Sequence, residues 1–270
     1  MFGKTGICKL TRKSGAFVKC HIIPRALTYS NRQDHHGSEA RFVEISSKEI
    51  PKTAHTSWYD RDLVTQDGEK ILSKIDTSGI NILRNHDMLG IKSEFPQTPS
   101  ILKVMLNDNE ISSLAAFFDS ILWRAAESGL PQFDKIELLE QDRELLRRSI
   151  LGIKKLPIEA FSKNFLKLCS LENQINLSPV FEENRLTFSE GGMRYKFNCF
   201  SFYMSGLFAR FGTVSFNPTL TKGLKSRSLG YSNELIVDVE NYKTYLKPII
   251  DEQKSTAEND HFHQLNKILN

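Results

Sequence analysis

The spacing of apolar residues changes once along this chain, and that change limits the fold more than any other feature. Between residues 105 and 172 apolar residues recur at i, i+3, i+4 and i+7, which is typical of amphipathic helices. After Pro179 they alternate with polar residues, which is typical of strands with one buried face. Because helices and strands occupy separate stretches, the sequence predicts an α+β protein with a C-terminal antiparallel sheet.

The helical stretch divides into three predicted helices. The first carries its apolar stripe from Ile111 to Ala125, behind the cap-like segment 107–110, and ends at Gly129. A second is predicted from Ile136 to Leu151. Pro157 is well placed to open a third helix, which would bury Ile158, Phe161, Phe165 and Leu168. On the first helix we expect Trp123 to pack inside and Arg124 to be a surface charge.

The strand stretch contains several short runs. Met193 to Cys199 alternate apolar and polar side chains, and Gly191-Gly192 supplies a turn behind Leu186-Thr187-Phe188. Two further strands are predicted, Leu207 to Phe211 and Glu234 to Val239. Residues 251–260 have the composition of a solvated linker or a frayed helix.

Composition excludes several classes of protein. Of 270 residues, 40% are apolar and 25% charged, which is ordinary for globular chains and excludes a wholly disordered, collagen-like or coiled-coil protein. The net charge of +4 permits contact with nucleic acid but does not require it. No apolar run approaches the length of a membrane span and no signal-peptide pattern opens the chain, so we expect a soluble cytoplasmic protein without membrane contact.

The chain is predicted to have three parts and no disulfide framework. The parts are residues 1–100, polar and rich in loops and histidine, residues 101–175, helical, and residues 176–270, with antiparallel strands. The four cysteines, Cys8, Cys20, Cys169 and Cys199, are scattered without a C-x-x-C pair. This spacing favours free thiols in a reducing compartment.

The N-terminal part contains the residues that point to chemistry. Two extended runs around Ser14-Gly15 predict a hairpin whose second strand ends at His21, within Cys20-His21-Ile22-Ile23-Pro24. The segment from Tyr59 to Leu72 predicts a loop that runs into a helix.

Together these segments resemble the HNH (ββα-metal) endonuclease family. The likeness is closest to a bacterial branch that reads S-H-I-I-P and is found among mobile-element and phage-defence genes. It covers roughly residues 6–76, and a wider likeness reaches about residue 150. The resemblance implies a ββα-metal module at the N-terminus and an activity that cleaves nucleic acid, DNA rather than RNA, with a setting in defence against phage.

The resemblance also implies roles for individual residues. His21 would be the general base that activates water, beside a Mg²⁺ or Mn²⁺ ion. Cys20, Asp62 and Glu69 stand where the family has its metal ligands, and Asp76 is a further carboxylate about two turns along the same helix. Without the family pattern, His21 would be interpreted as a hydrogen-bonded structural histidine, and Glu69 as a carboxylate near a helix N-terminus.

Two departures from the family pattern leave the activity open. Of the four knuckle cysteines only Cys8 is present, because Thr11, Thr65 and Gly68 occupy the other places. One thiolate cannot hold a structural zinc ion, so we expect none. Cys20 is a poor ligand for Mg²⁺, which prefers oxygen. The sequence therefore supports two hypotheses, a metal-dependent endonuclease and a catalytically inactive HNH-derived subunit that works through a protein partner.

Basic residues near His21 suit contact with phosphate groups. Lys19, Arg25 and Arg32 are the predicted nucleic-acid contacts, although such residues are also common on solvated loops. An alternative metal site would join His35-His36 to Cys8, Cys20 and His21.

Overall fold

The structure of the protein is a computed structural model. It describes residues 4–28, 42–46, 49–54, 57–86, 88, 102–168, 175–190, 193–204, 207–213, 215 and 234–238.

These residues form both helices and strands. In chain order the strands are β1 (Thr5–Ile7), β2 (Ser14–Ala16), β3 (Cys20–His21), β4 (Phe42–Ser46), β5 (Glu49–Ala54), β6 (Tyr59–Asp60), β7 (Leu102–Met105), β8 (Lys163–Leu168), β9 (Ile175–Glu190), β10 (Met193–Met204), β11 (Leu207–Gly212) and β12 (Glu234–Asp238). The α-helices are α1 (Arg25–Thr28), α2 (Gln66–Asn85), α3 (Asp108–Glu127) and α4 (Glu140–Ile150), with 3-10 turns at Pro131–Phe133 and Ile158–Ala160. The predicted mixture of helix and mainly antiparallel sheet is confirmed at this level.

The N-terminal hairpin forms, but its turn lies earlier than predicted. Strands β1 and β2 pair antiparallel, so Ser14-Gly15 lies in a strand and not in the turn. The turn is closed by a hydrogen bond from the Cys8 amide to the Lys13 carbonyl (2.9 Å), and Arg12 takes a left-handed conformation (φ 58°). His21 also lies elsewhere than predicted, since β3 pairs with β6 and not with the hairpin.

Helix α3 agrees closely with the sequence prediction. The Asn107 side chain accepts hydrogen bonds from the amides of Asn109 and Glu110, and the Glu110 carboxylate accepts one from the Asn107 amide. This reciprocal capping box fixes where the helix begins. The helix is buried along most of its length, and Phe118 contacts Phe211 of β11 (ring centroids 5.5 Å apart).

The next two predicted helices differ from the structure. Helix α4 begins at Glu140 and not at Ile136, so residues 136–139 are not helical. In this segment Leu138 is buried, whereas Leu139 is exposed. The predicted third helix is wrong. Pro157 caps a single 3-10 turn, and β8 follows and pairs with β11 along five residue positions. Pairing with the sheet has overridden the helical spacing of the apolar residues.

The predicted C-terminal strands belong to a larger sheet. Eight strands pair in the order β5-β4-β9-β10-β11-β8-β12-β7, with parallel pairs at β4–β9 and β8–β12 and antiparallel pairs elsewhere. The sheet thus takes strands from all three predicted segments of the chain. The predicted strands at 186–188, 193–199, 207–211 and 234–239 lie within β9 to β12, apart from residue 239, which is outside the described residues, as are Gly191-Gly192 and 251–260.

Close contact between α2 and α3 places the N-terminal region against the rest of the molecule. Gly79 of α2 lies directly against the Phe117 ring, and a Cβ atom at this position would overlap that ring. Glycine is therefore required where the two helices approach. In the described part of the chain, no helix is long and apolar enough to span a bilayer.

Candidate nucleic-acid interface

The strand pair β3–β6 sets the positions of Cys20 and His21. Cys20 lies opposite Asp60, His21 lies opposite Tyr59, and the Ile22 amide continues the pairing by bonding to the Trp58 carbonyl (2.9 Å). Cys20 is buried, whereas His21 is only half-buried. Side chains alternate across a strand, so the thiol faces the core while the imidazole lies nearer the surface.

Asp60 connects this strand pair to the helices. Its carboxylate accepts hydrogen bonds from the Asp62 amide (2.7 Å) and from the Gly129 amide just beyond α3 (3.0 Å). The side chain is almost fully buried, so these bonds satisfy oxygens that water does not reach. Asp60 thus fixes the loop that leads into α2.

Arg124 is buried rather than exposed, contrary to the prediction from sequence. Its side chain is 1% accessible and makes a bidentate ion pair with Asp76 of α2, at 2.7 and 2.9 Å. It also donates to the His21 carbonyl (2.9 Å) and to the Ser120 hydroxyl (3.1 Å). Although burial opposes the charge, Asp76 outweighs it and the pKa of Arg124 is raised, so the guanidinium stays charged. One side chain therefore joins α3, α2 and β3.

Cys20 and Glu69 lie beside this ion pair. Burial raises the pKa of the Cys20 thiol well above its ordinary value; Arg124 opposes the rise, while Glu69 and Asp76 add to it. Burial also raises the pKa of Glu69, which Cys20 and Arg124 lower in part. Oε2 of Glu69 is buried and has no hydrogen-bond partner among the described residues. Because its pKa is raised, the Cys20 thiol is protonated at neutral pH.

The three predicted metal ligands do not form a metal site. Asp62 is 55% exposed and pairs on the surface with Lys4 (2.8 Å). Cys20 is a neutral thiol, and the nearby Asp76 carboxylate is already bonded to Arg124. In the part of the chain that the structure describes, no group of three or more His, Cys, Asp and Glu side chains could hold a metal ion. This donor set does not fit Mg²⁺ or Mn²⁺, which bind through several oxygens, and the divalent cofactor stays a prediction.

The four positions aligned with the zinc knuckle do meet in space. The Cys8 sulfur accepts a hydrogen bond from the Thr11 amide (3.4 Å), and a Cβ atom on Gly68 would lie 2.9 Å from it. Burial acts to raise the pKa of Cys8, but hydrogen bonds from Thr11 and Thr65 outweigh it and the pKa is lowered. Hydrogen bonds and close packing thus hold these four positions together. The absence of structural zinc stays a prediction.

A basic and aromatic surface surrounds His21, which we call the Tyr59 surface. It consists of Lys19, His21, Arg25, Tyr59 and Arg61. The Lys19 ammonium lies 3.7 Å from the centroid of the Tyr59 ring, the Arg61 guanidinium carbon 5.6 Å and the His21 ring centroid 5.9 Å. The three cations are exposed and the two rings half-buried.

The charges of this surface act on His21. Burial, followed by the positive charges of Lys19, Arg124 and Arg25, lowers the pKa of His21 to about 4. The imidazole is therefore neutral at pH 7 and has a lone pair that can accept a proton.

Sequence reasoning identified part of this site. It selected Lys19, His21 and Arg25, but it missed Tyr59 and Arg61, which share a face at strand spacing. The helical spacing 117, 121, 124 places Arg124 on the apolar face of α3 and was a signal for its burial. Arg32 and His35-His36 lie outside the described residues.

Comparisons of the chain with models of protein families, with curated proteins and with solved structures find no match.

Proposed function

We propose that this protein is an HNH-derived module that binds nucleic acid through the Tyr59 surface and works together with a protein partner. The observation that carries the proposal is the position of two exposed cations, Lys19 and Arg61, beside the half-buried Tyr59 ring, with the exposed Arg25 close enough to His21 to add to burial in lowering its pKa. Cations contact phosphate groups irrespective of sequence, and an aromatic ring stacks on an unpaired base. DNA is the expected ligand, as the resemblance implies.

The surroundings of the predicted metal site support binding over metal-dependent cleavage. Two of the carboxylates involved are neutralised by protein cations, Asp76 by Arg124 and Asp62 by Lys4. Arg124 already supplies a fixed positive charge beside Cys20 and Glu69. A divalent ion entering here would have to displace a buried bidentate ion pair.

Fluorescence anisotropy with labelled single-stranded and duplex DNA, and with RNA of the same sequence, tests the binding proposal. Tyr59→Phe should retain affinity because it keeps the ring, whereas Tyr59→Leu should weaken single-strand binding by about 1–3 kcal/mol. Lys154→Gln, which removes an exposed cation that is not one of the residues of this surface, is the matched control. Wild-type protein that binds none of these ligands would contradict the proposal, as would equal losses in Tyr59→Leu and Lys154→Gln.

A second candidate function is endonuclease activity with His21 as the general base. The observation that favours it is the position of His21. Its half-buried ring lies near cations suited to phosphate, and Arg124 donates a hydrogen bond to its backbone carbonyl. The setting in phage defence belongs to this proposal and is carried by the resemblance alone.

Plasmid nicking with added Mg²⁺ or Mn²⁺ tests the second candidate. His21→Ala should reduce cleavage by about 10²–10⁴-fold while the circular dichroism spectrum stays unchanged. Cys20→Asp restores an oxygen ligand and should raise activity if a metal ion is used. Wild-type protein that cleaves neither DNA nor RNA would exclude this candidate and leave the binding proposal standing.

A further inference from the structure

The ammonium group of Lys19 covers part of the Tyr59 ring. Its Nζ lies 3.7 Å from the ring centroid, which is the place that a stacked base would take. Lys19 directly precedes β3 and Tyr59 lies in β6, and the pairing of these two strands brings the two side chains together. A base can therefore stack on this face of the ring only after the ammonium group has moved.

The contact that holds Lys19 over the ring is weak. The side chain is exposed, and a cation–π contact at an exposed site changes an equilibrium by only about two- to fivefold. The two carboxylates nearest in sequence to the ring are engaged elsewhere, Asp60 with two backbone amides and Asp62 with Lys4. An anion that reached the Lys19 ammonium group would therefore not have to displace either of these carboxylates.

Positive charge accumulates around the ring. The Arg61 guanidinium carbon lies 5.6 Å from the same centroid. Burial, and then the charges of Lys19, Arg124 and Arg25, lower the pKa of His21 to about 4, which shows that these cations act on a common region. Cations so close together repel one another. A phosphate group bound between them would relieve this repulsion.

We propose that Lys19 covers the Tyr59 ring until the phosphate backbone of a single strand draws it away, so that backbone contact and base stacking are coupled. This coupling rests on the proposed function of the surface and names its ligand class, a single strand, which offers phosphate groups and unpaired bases together. A free nucleoside lacks the phosphate that would displace Lys19, and a duplex has no unpaired base to stack. Lys19 is thus a specificity-determining residue of this surface.

Fluorescence anisotropy with a labelled single strand and with an abasic strand of the same length tests the coupling. The ratio of the two affinities measures what the bases contribute. Lys19→Ala should weaken both strands, because a phosphate contact is lost, but should raise this ratio by about two- to fivefold, because the ring is already uncovered. Tyr59→Leu should make the two affinities nearly equal. Lys154→Ala, which removes an exposed cation that is not one of the residues of this surface, should leave the ratio unchanged.

Thymidine, which has a base but no phosphate group, provides an independent measurement by isothermal titration calorimetry. It should bind Lys19→Ala more tightly than wild type, whereas the single strand should show the opposite order. Opposite effects of one substitution on two ligands cannot come from general destabilisation.

The coupling and the proposed function fail in different ways. Wild-type protein that binds no single strand, or that binds it equally well after Tyr59→Leu, would contradict both. A strand that binds through Tyr59, with an affinity ratio that Lys19→Ala leaves unchanged or lowers, would overturn the coupling and leave the proposed function standing. Thymidine that binds Lys19→Ala no more tightly than wild type would also overturn the coupling alone.

Discussion

At the scale of single residues, the stability of the protein depends on how its buried charges are paired. Arg124 donates hydrogen bonds to Asp76, Ser120 and the His21 carbonyl, and its side chain is 1% accessible. Asp62 and Lys4 form an ion pair of similar length, but at 55% and 69% accessibility. The two pairs therefore differ in solvent exposure, and the Arg124 pair is also bidentate, so removal of one partner should have very different effects.

Arg124→Met should destabilise the protein by about 3–5 kcal/mol, because it leaves the Asp76 carboxylate without its buried partner. Lys4→Met should cost no more than about 1 kcal/mol, as is usual for an exposed pair. Urea unfolding monitored by circular dichroism measures both values. Similar losses in the two variants would mean that Arg124 is not the buried link between α2, α3 and β3.

Arg124 also shows where sequence reasoning reaches its limit. Spacing along α3 places position 124 on the apolar face, yet an arginine there is normally interpreted as a surface charge. Only the three-dimensional position of Asp76, 48 residues earlier in the chain, makes burial favourable. The proximity of Lys19 to His21, in contrast, follows from the sequence, because the two residues are two positions apart at β3.

At the scale of elements, local hydrogen bonds and close packing fix how the β1–β2 hairpin lies against α2. The hairpin β1–β2 is closed around the Cys8 sulfur by Thr11 and Thr65, and Gly68 allows α2 to approach it. These contacts support the prediction that no structural zinc is bound here.

We therefore expect the purified protein to contain no stoichiometric zinc and to keep its thermal midpoint after dialysis against EDTA. Elemental analysis by mass spectrometry gives the zinc content, and differential scanning calorimetry the midpoint. One zinc ion per chain together with unfolding on chelation would contradict this account and would restore the predicted alternative site around Cys8.

The capping box of α3 makes a prediction about pH. A hydrogen bond from the Asn107 amide, followed by one from His86 (2.8 Å), lowers the pKa of Glu110 in the folded protein. A carboxyl group with a lowered folded pKa stabilises the protein above its unfolded pKa, and loses this effect as pH falls through the folded value. Glu110→Gln should thus be less stable than wild type at pH 7, and the difference should be smaller at pH 3.

Urea unfolding of the two proteins at both pH values measures this difference, and comparison with Gln removes the contribution of other carboxylates. Asp67→Asn in the first turn of α2 is the control, because Asp67 is exposed and lies 3.7 Å from the Lys70 ammonium. A Glu110→Gln difference that grows as the pH falls would show that the cap does not depend on the charged carboxylate.

Elements were predicted correctly where the local sequence signals agreed, and wrongly where strand pairing in the sheet determined the structure. Helix α3 could be predicted because its cap, its apolar stripe and its stop occur together in the sequence. Strand β8 could not, since Phe161, Phe165 and Leu168 have helical spacing and the strand is fixed by pairing with β11, about 40 residues further along the chain.

At the scale of the whole molecule, a buried ion pair joins the helices to the sheet. Lys163 of β8 lies 2.9 Å from the Asp119 carboxylate of α3, and donates to the carbonyls of Ile158 and Phe161. Both charged side chains are buried, at 1% and 5% accessibility. The full extent of the eight-stranded sheet could not be predicted, because β4, β5 and β7 come from segments without a clear strand pattern.

Lys163→Met should cost about 3–5 kcal/mol of unfolding free energy, because it leaves Asp119 buried and unpaired. The double variant Asp119→Leu with Lys163→Met should recover most of this loss, since both charges are then gone. Chemical unfolding of the two single variants and the double variant completes the cycle. A double variant as unstable as the sum of its parts would contradict the pairing of helix and sheet through these charges.

If the Tyr59 surface binds the phosphate backbone of nucleic acid, as we propose, the affinity must fall as the salt concentration rises. The slope of log Kd against log salt concentration counts the phosphates that cations contact, with a contribution of about 0.7–0.9 for each. The double variant Lys19→Gln with Arg61→Gln should weaken DNA binding and reduce this slope by about two contacts, while Lys154→Gln leaves it unchanged. A slope unchanged by the double variant, or a wild-type protein without measurable affinity, would contradict the account.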